Sequence, residues 1–197
     1  MKSVEKAKVD KKELIRRAAV RVMAAEGYYN TSISQIADEA GVAVGTIYNY
    51  FEHKEDILEY IFAVELKKRI ACLEDLQSED GKFWDEFIRF LRFHFSDLRE
   101  NPDTAMILIR EKEFPCREDS GAISGYRRQI SAKLAEMLKQ GMAAGELKDY
   151  NIDVLTAVIF GALQGTVERA VQEKDFSLLD KAPEEIINLL LKGIGVS

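Results

Sequence analysis

The side chains best suited to recognition chemistry cluster in the run VGTIYNYFEHK, residues 44–54. This short segment brings together hydroxyl, amide, imidazole and ammonium groups. Such groups donate hydrogen bonds to phosphate oxygens and to the edges of bases. The run is therefore typical of a surface that recognises a polyanion.

Other kinds of chemistry find no matching pattern along the chain. The two cysteines, Cys72 and Cys116, and the two histidines, His53 and His94, are too scattered for a zinc cluster or a disulfide framework. Paired carboxylates in a defined loop, a Cys/His dyad and a glycine-rich phosphate loop are also missing. The sequence predicts a protein that is not an enzyme and that needs no metal and no cofactor.

The charge of the chain is unevenly distributed. The net charge is −6, from 28 basic and 34 acidic residues, but residues 1–25 carry eight basic and three acidic side chains, a local charge of +5. A basic end on an acidic body indicates that an anionic partner docks at that end. The alternative is a terminus that is simply rich in lysine.

The apolar pattern predicts an all-α protein of about nine helices. No segment alternates with the period of a strand, and the three prolines fall where helices begin or end. We expect a division near residue 55, with a first domain over residues 1–54 and a second over 55–197. No signal peptide is visible, and the apolar stretch at residues 154–163 is too short to cross a bilayer, so we expect a cytoplasmic protein without a membrane partner.

The elements that must position the donor-rich run form a helix-turn-helix. A helix from about Asp10 to Glu26 precedes it. A short helix over 34–40, capped by Ser32 or Ser34, is followed by a glycine-containing turn over 41–45 and a second short helix over 46–51. The inward faces of the motif are predicted at Ile33, Ile36, Ala37, Ala40, Val42, Ile47 and Phe51.

The segment GYYNTSISQIADEAGVAVGTIYNYFEHKEDIL resembles the DNA-binding domain of TetR-family transcriptional repressors. The resemblance implies an all-α homodimer whose N-terminal helices bind a double-stranded DNA operator, while a C-terminal bundle binds a small-molecule effector that releases the DNA. The later segments QGMAAGEL and DVLTAVIFGALQGTVERAV are similar to the branch that represses fatty-acid degradation genes and responds to long-chain acyl-CoA.

By position in the motif, the resemblance assigns one set of residues to DNA. The start of the second short helix is expected to contact bases. The hydroxyl, imidazole and ammonium groups are expected to contact phosphates. Ser34 is also expected to cap the first short helix. Packing of the tyrosines within the motif, and a neutral linker role for His53, remain open. The DNA-binding set is Ser34, Val44, Gly45, Thr46, Tyr48, Asn49, Tyr50, His53 and Lys54.

The segment FWDEFIRFLRFHFSDL is too apolar for an ordinary surface helix, so it is enclosed by other helices or lines an interior. Cavities for apolar ligands combine such walls with a few polar groups. Alternatively, the aromatic residues simply pack in the hydrophobic core, and His94 is a core or rim histidine. The predicted effector-binding set is Phe87, Phe90, Leu91, His94, Arg110, Phe114, Arg128, Phe160 and Gln164.

Small residues spaced four apart near the C-terminus predict close packing between helices, either in a homodimeric four-helix bundle or within one chain. The predicted dimer interface is Ala157, Gly161, Gly165, Ile187, Leu190, Leu191 and Ile194. Taken with these patterns, the family resemblance implies a repressor released from a palindromic operator by an apolar effector such as long-chain acyl-CoA. Two alternatives stay open: a repressor of an efflux gene that responds to a drug or toxic metabolite, and a ligand-binding helical protein without DNA binding.

Overall fold

The computed structural model of the protein describes residues 10–77, 81–111 and 122–194, and those residues form nine α-helices without a strand. The all-α prediction is confirmed. The chain divides into two compact units, Met1–Ile61 and Phe62–Ser197, so that the division falls inside α4, seven residues beyond the predicted one. The helices are α1 Lys11–Glu26, α2 Ile33–Ala40, α3 Val44–Tyr48, α4 Lys54–Gln77, α5 Phe83–Glu100, α6 Pro102–Arg110, α7 Ala122–Ala143, α8 Ile152–Glu173 and α9 Leu178–Ile194.

In the first unit, α1 packs against α2 and α2 packs against α3. The Asp10 side chain accepts a hydrogen bond from the Lys12 backbone N–H and so caps α1, and Gly27 ends it at a φ of 81°. Five of the seven residues predicted on the inward faces of the helix-turn-helix are buried: Ile36, Ala37, Ala40, Ile47 and Phe51. Ile33 and Val42 are only half-buried.

The two short helices begin earlier than predicted. Ser32, and not Ser34, caps α2: its hydroxyl accepts from the Gln35 N–H while the Gln35 side chain accepts from the Ser32 N–H. This reciprocal pair satisfies two orphan donors at once. Gly41 ends α2 in the left-handed conformation. The chain re-enters a helix at Val44 and leaves it after Tyr48, where the Tyr50 and Phe51 N–H groups both donate to the Ile47 carbonyl.

Lys54 joins the start of α4 to the loop after α1. Its ammonium donates to the Tyr28 carbonyl at 2.6 Å, the Thr31 carbonyl at 2.7 Å and, more weakly, the Tyr29 carbonyl at 3.4 Å. The ammonium also lies 4.3 Å from the centre of the Tyr28 ring. These contacts hold the first turn of α4 against the loop that follows α1.

The second unit is a helical bundle in which α5 packs on α6, α7 and α9, and α8 packs on α6, α7 and α9. All three prolines were expected at helix ends, but Pro183 lies inside α9, which begins at Leu178 and has Leu179 and Ala182 buried near its start. Pro102 is the first residue of α6, as expected, and Pro115 lies outside the described residues.

By length and composition alone, α8 could cross a membrane, since the helix extends well beyond the apolar stretch at residues 154–163. It packs on three neighbouring helices with Leu155, Ile159 and Leu163 buried. Core helices of soluble proteins satisfy the same length and composition test, and a single such helix is weak evidence of a membrane span.

We predict that Lys54→Met lowers the free energy of unfolding by about 2 kcal/mol, because hydrogen bonds from a charged group to loop carbonyls are lost. Denaturant unfolding measures the effect. Lys11→Met is the matched control, since Lys11 is exposed at the start of α1. Equal unfolding midpoints for the two variants would contradict a structural role of the Lys54 ammonium.

Candidate nucleic-acid interface and ligand cavity

The exposed side of the helix-turn-helix carries most of the predicted DNA-binding set. Large side chains that would ordinarily be buried are open to solvent: Tyr48 is 54% exposed, Tyr50 41% and Val44 38%. Thr46 is half-buried, while Ser34, Gly45, Asn49 and His53 are exposed. Ile47 and Phe51 hold the inner face, and the exposed groups opposite them, Val44, Gly45, Tyr48, Asn49 and Tyr50, are here called the α3 surface.

Several cations of the first unit are engaged by groups of the same unit. Glu13 binds Arg16 and Arg17, each with a contact of 2.7 Å, and Arg21 binds Glu39 at 2.5 Å. The hydrogen bond from Arg16 and then that from Arg17 outweigh burial and lower the pKa of Glu13 to about 2. These ion pairs reduce the positive charge available to a polyanion from α1.

Lys12 is engaged in a different way. Its ammonium lies 4.3 Å from the centre of the Tyr60 ring and 5.2 Å from that of Phe51. It is therefore held over the aromatic core of the first unit. Lys2, Lys6 and Lys8, which were part of the predicted basic end, lie outside the described residues.

The start of α4 already has an anionic partner within the chain. Asp56 accepts hydrogen bonds from the Glu52 N–H at 2.9 Å and the His53 N–H at 2.8 Å, so the first turn supplies its own carboxylate. Lys54 points to loop carbonyls and not to the exposed face. The predicted phosphate contacts therefore depend on Tyr48, Tyr50 and the exposed side chain of His53.

The second unit contains a cavity of about 110 Å³ bounded by α4, α5, α6, α7 and α8. Its walls are overwhelmingly apolar, and the polar side chains among them are those of Arg69, His94, Arg127 and Gln164. The lining residues are Phe62, Leu66, Arg69, Phe90, His94, Leu98, Leu108, Ile109, Arg127, Ile130, Leu134, Phe160, Leu163, Gln164 and Val167.

The cavity includes part of the predicted effector-binding set. Phe90, His94, Phe160 and Gln164 line it. Phe87 and Leu91 are fully buried on another part of α5 and belong to the packed core.

The remaining predicted effector-binding residues lie elsewhere. Arg110 and Arg128 are exposed and do not line the cavity, and Phe114 lies outside the described residues. Sequence reasoning missed Arg69. The available signal for Arg69 was a basic residue four positions after Glu65 on α4, which is the spacing of a helical ion pair.

A buried charge network borders the cavity. The Arg69 guanidinium donates to the Glu65 carbonyl at 2.6 Å, to Asp97 at 2.9 Å and to His94 Nδ1 at 3.2 Å. Lys68 donates to Glu65 at 2.9 Å and lies 3.5 Å from Asp97. By formal charge, Glu65 and Asp97 in this network balance the buried Arg69 and the partly exposed Lys68.

His94 connects this network to the cavity. Burial and, next, the positive charge of Arg69 lower the pKa of His94 to about 3, so the imidazole is neutral at physiological pH. Nδ1 accepts from Arg69, and the proton of the neutral ring must therefore be on Nε2. Nε2 is buried and has no hydrogen-bond partner in the described chain.

An apolar stripe runs along the outside of α8. Val154 and Val158 are 61% and 58% exposed, and the predicted interface residues Ala157, Gly161 and Gly165 share this side. A Cβ atom added at Gly161 or Gly165 would meet nothing within 4 Å.

The α9 part of the predicted interface is mixed. Leu191 is exposed, Ile187 and Leu190 pack partly on the core, and the side chain of Ile194 lies outside the described residues. Leu189, which the sequence reasoning missed, is 72% exposed.

Both units match known proteins. Residues 15–61 match the family model of bacterial regulatory proteins of the tetR family, and residues 80–168 match the tetracyclin repressor-like C-terminal domain. The fatty acid metabolism regulator protein of Bacillus subtilis is 32% identical over 183 residues, which cover 90% of this chain and 92% of the relative.

Two solved structures share the fold along nearly the whole chain. FadR from Bacillus subtilis, in complex with stearoyl-CoA, superposes with a TM-score of 0.82 at 30% identity and covers 92% of this chain and 98% of its own. The fatty acid degradation regulator FadR from Bacillus halodurans has a TM-score of 0.82 at 26% identity, with coverages of 95% and 97%.

The helix-turn-helix, the two family matches and the similarity to the Bacillus subtilis regulator over nine-tenths of the chain all indicate the same family. The relatives are DNA-binding regulators and not enzymes. The protein belongs to the TetR family of bacterial transcriptional regulators and is similar to the FadR regulators of fatty acid metabolism.

Proposed function

We propose that the protein is a homodimeric repressor that binds a palindromic operator and is released by a long-chain acyl-CoA. The observation that carries this proposal is the cavity in the second unit, whose walls are apolar apart from a few polar side chains. Such walls suit a hydrocarbon chain. The similar FadR of Bacillus subtilis has been solved in complex with stearoyl-CoA.

The α3 surface is the proposed DNA contact. Tyr48 and Tyr50 present hydroxyls to solvent beside Gly45 and Asn49, and a glycine on this face permits close approach of the backbone to a groove. A DNA-bound regulator works in the bacterial cytoplasm. Because several cations of α1 are paired within the unit, the remaining electrostatic attraction is assigned to the lysines of the first nine residues.

A long acyl chain needs more room than the cavity of about 110 Å³ provides, since pockets for ligands of drug size measure roughly 300–1,000 Å³. Ligand entry must therefore move the walls, including Leu66 and Arg69 on α4. The same helix begins at Lys54, at the edge of the helix-turn-helix. Movement of α4 supplies the coupling between effector and DNA in this proposal. Arg110 and Arg128 are exposed candidates for the phosphates of the coenzyme A group.

The α8 stripe is the proposed dimer contact. A surface of exposed valines beside glycines with open space permits close packing with the same surface of a second copy, as a two-fold interface requires.

We predict that Tyr48→Ala weakens operator binding by at least about 10-fold, because a contact to the duplex is lost and each such loss costs about 1–3 kcal/mol. Fluorescence anisotropy with an operator duplex measures it. Tyr150→Ala is the control, since Tyr150 is an exposed tyrosine of the second unit. A Tyr48→Ala protein with unchanged operator affinity would contradict the assignment of the α3 surface.

Effector identity is tested by titrating the protein–operator complex with palmitoyl-CoA and stearoyl-CoA, with coenzyme A alone, and with aromatic drugs and dyes. We expect release by the long-chain thioesters and none by coenzyme A, because the apolar cavity must be filled. Release by drugs alone would replace this proposal with that of an efflux repressor.

We predict that Gly161→Glu shifts the protein from dimer to monomer, because an unpaired carboxylate would be buried in the middle of the stripe. Analytical ultracentrifugation measures the shift. Lys174→Glu, beyond the end of α8, is the control. A dimer that is unaffected by Gly161→Glu would exclude this part of α8 from the interface.

A further inference from the structure

His94 offers a hydrogen-bond donor that the protein itself does not use. Nε2 is buried without a partner, whereas Nδ1 on the other side of the ring accepts from Arg69 Nε at 3.2 Å. An unsatisfied buried donor is uncommon, because its lost hydration is not repaid. His94 lines the cavity, so the missing partner is best supplied by a ligand.

The chemistry of that partner follows from the donor. The ring is held in one tautomer by Arg69, and Nε2 is a donor and cannot act as an acceptor. The charge network behind it is neutral because Glu65 and Asp97 balance Lys68 and Arg69. An uncharged donor backed by a neutral network matches an uncharged oxygen acceptor.

The surroundings of the ring limit where this acceptor lies on the ligand. Phe90 stacks on the His94 ring with a centroid distance of 6.0 Å, and Phe95 packs edge-on at 5.0 Å. Leu66 and Leu98 also line the cavity. A hydrocarbon chain fits these walls but offers no acceptor, whereas the carbonyl at its thioester end is uncharged and directly bonded to the chain.

We propose that His94 is a specificity-determining residue whose Nε2–H donates a hydrogen bond to the thioester carbonyl oxygen of the acyl ligand. This inference rests on the proposed function, because it assumes that an acyl-CoA enters the cavity. His94 then distinguishes a thioester from a ligand without a carbonyl, while the apolar walls bind the hydrocarbon chain. The same ring links the bound carbonyl to Arg69 on α4.

A change in the ligand tests this without any change in the protein. S-hexadecyl-CoA is a thioether that keeps the coenzyme A group and a sixteen-carbon chain but lacks the carbonyl of palmitoyl-CoA. We expect the wild-type protein to bind palmitoyl-CoA about 10-fold more tightly than S-hexadecyl-CoA by isothermal titration calorimetry, which corresponds to about 1.4 kcal/mol.

The variants identify the donor. In His94→Phe the preference for the thioester should fall to about 1-fold, because the ring shape remains but the donor is lost. His94→Gln should retain a preference, since a glutamine amide can accept from Arg69 and donate to the ligand. Gln164→Leu, on the same cavity wall, should keep the full preference. Operator binding without ligand verifies that each variant is folded.

The outcomes separate this inference from the proposed function. Equal affinities of the wild-type protein for thioester and thioether would overturn the role of His94 and leave the acyl-CoA proposal intact. A preference that survives in His94→Phe or disappears in Gln164→Leu would also overturn it. Binding of neither ligand would overturn the acyl-CoA proposal, and this inference with it.

Discussion

The guanidinium of Arg69 is a permanent charge almost completely removed from solvent, and the second unit is arranged to satisfy it. Its donors reach a carbonyl and a carboxylate oxygen of Glu65, a carboxylate of Asp97 and a ring nitrogen of His94. Removing one partner of a buried ion pair costs roughly 3–5 kcal/mol, because the other charge stays buried without compensation. Arg69 on α4 and Asp97 on α5 are therefore partners that cannot be substituted one without the other at little cost in stability. The cavity is lined by two of the residues involved, so its polar wall has a fixed electrostatic character before any ligand arrives.

α4 is held at two points by cations that bind different kinds of partners. Lys54, in its first turn, binds carbonyls of the loop after α1, and Arg69, four turns later, binds side chains of α5. The first set of contacts belongs to the unit with the helix-turn-helix and the second to the unit with the cavity. One continuous helix thus carries both sets. In the proposed mechanism this continuity is what relates a filled cavity to the α3 surface.

The parts of the fold that depend on local chemistry could be predicted from the sequence. Helical spacing of apolar residues identified the helices, and Gly27 and Gly41 marked the ends of α1 and α2. The choice between Ser32 and Ser34 as the cap, and the start of α9 before Pro183, depended on local hydrogen bonding and burial that spacing does not reveal. The exposed tyrosines of the α3 surface were found because their inward neighbours, Ile47 and Phe51, already filled the apolar face.

Side-chain partners that are distant in sequence were harder to predict. Lys54 was expected at phosphates, but its carbonyl partners lie more than twenty positions earlier. Arg69 and Asp97 are twenty-eight positions apart, and no periodicity joins them. The aromatic run of α5 correctly indicated an interior wall. It could not show which of its faces met the core, so Phe87 and Leu91 were assigned to the ligand and Leu98 was not.

The small size of the cavity has a thermodynamic consequence for any flexible chain that enters it. Opening the walls has a free-energy cost that is the same for every ligand, whereas the gain grows by about 0.8 kcal/mol for each buried methylene. Short chains therefore fail to reach the opening threshold, and affinity rises steeply once a chain exceeds it. In the proposed mechanism, a cavity smaller than its ligand therefore acts as a length filter, and it does so without a side chain that measures the end of the chain.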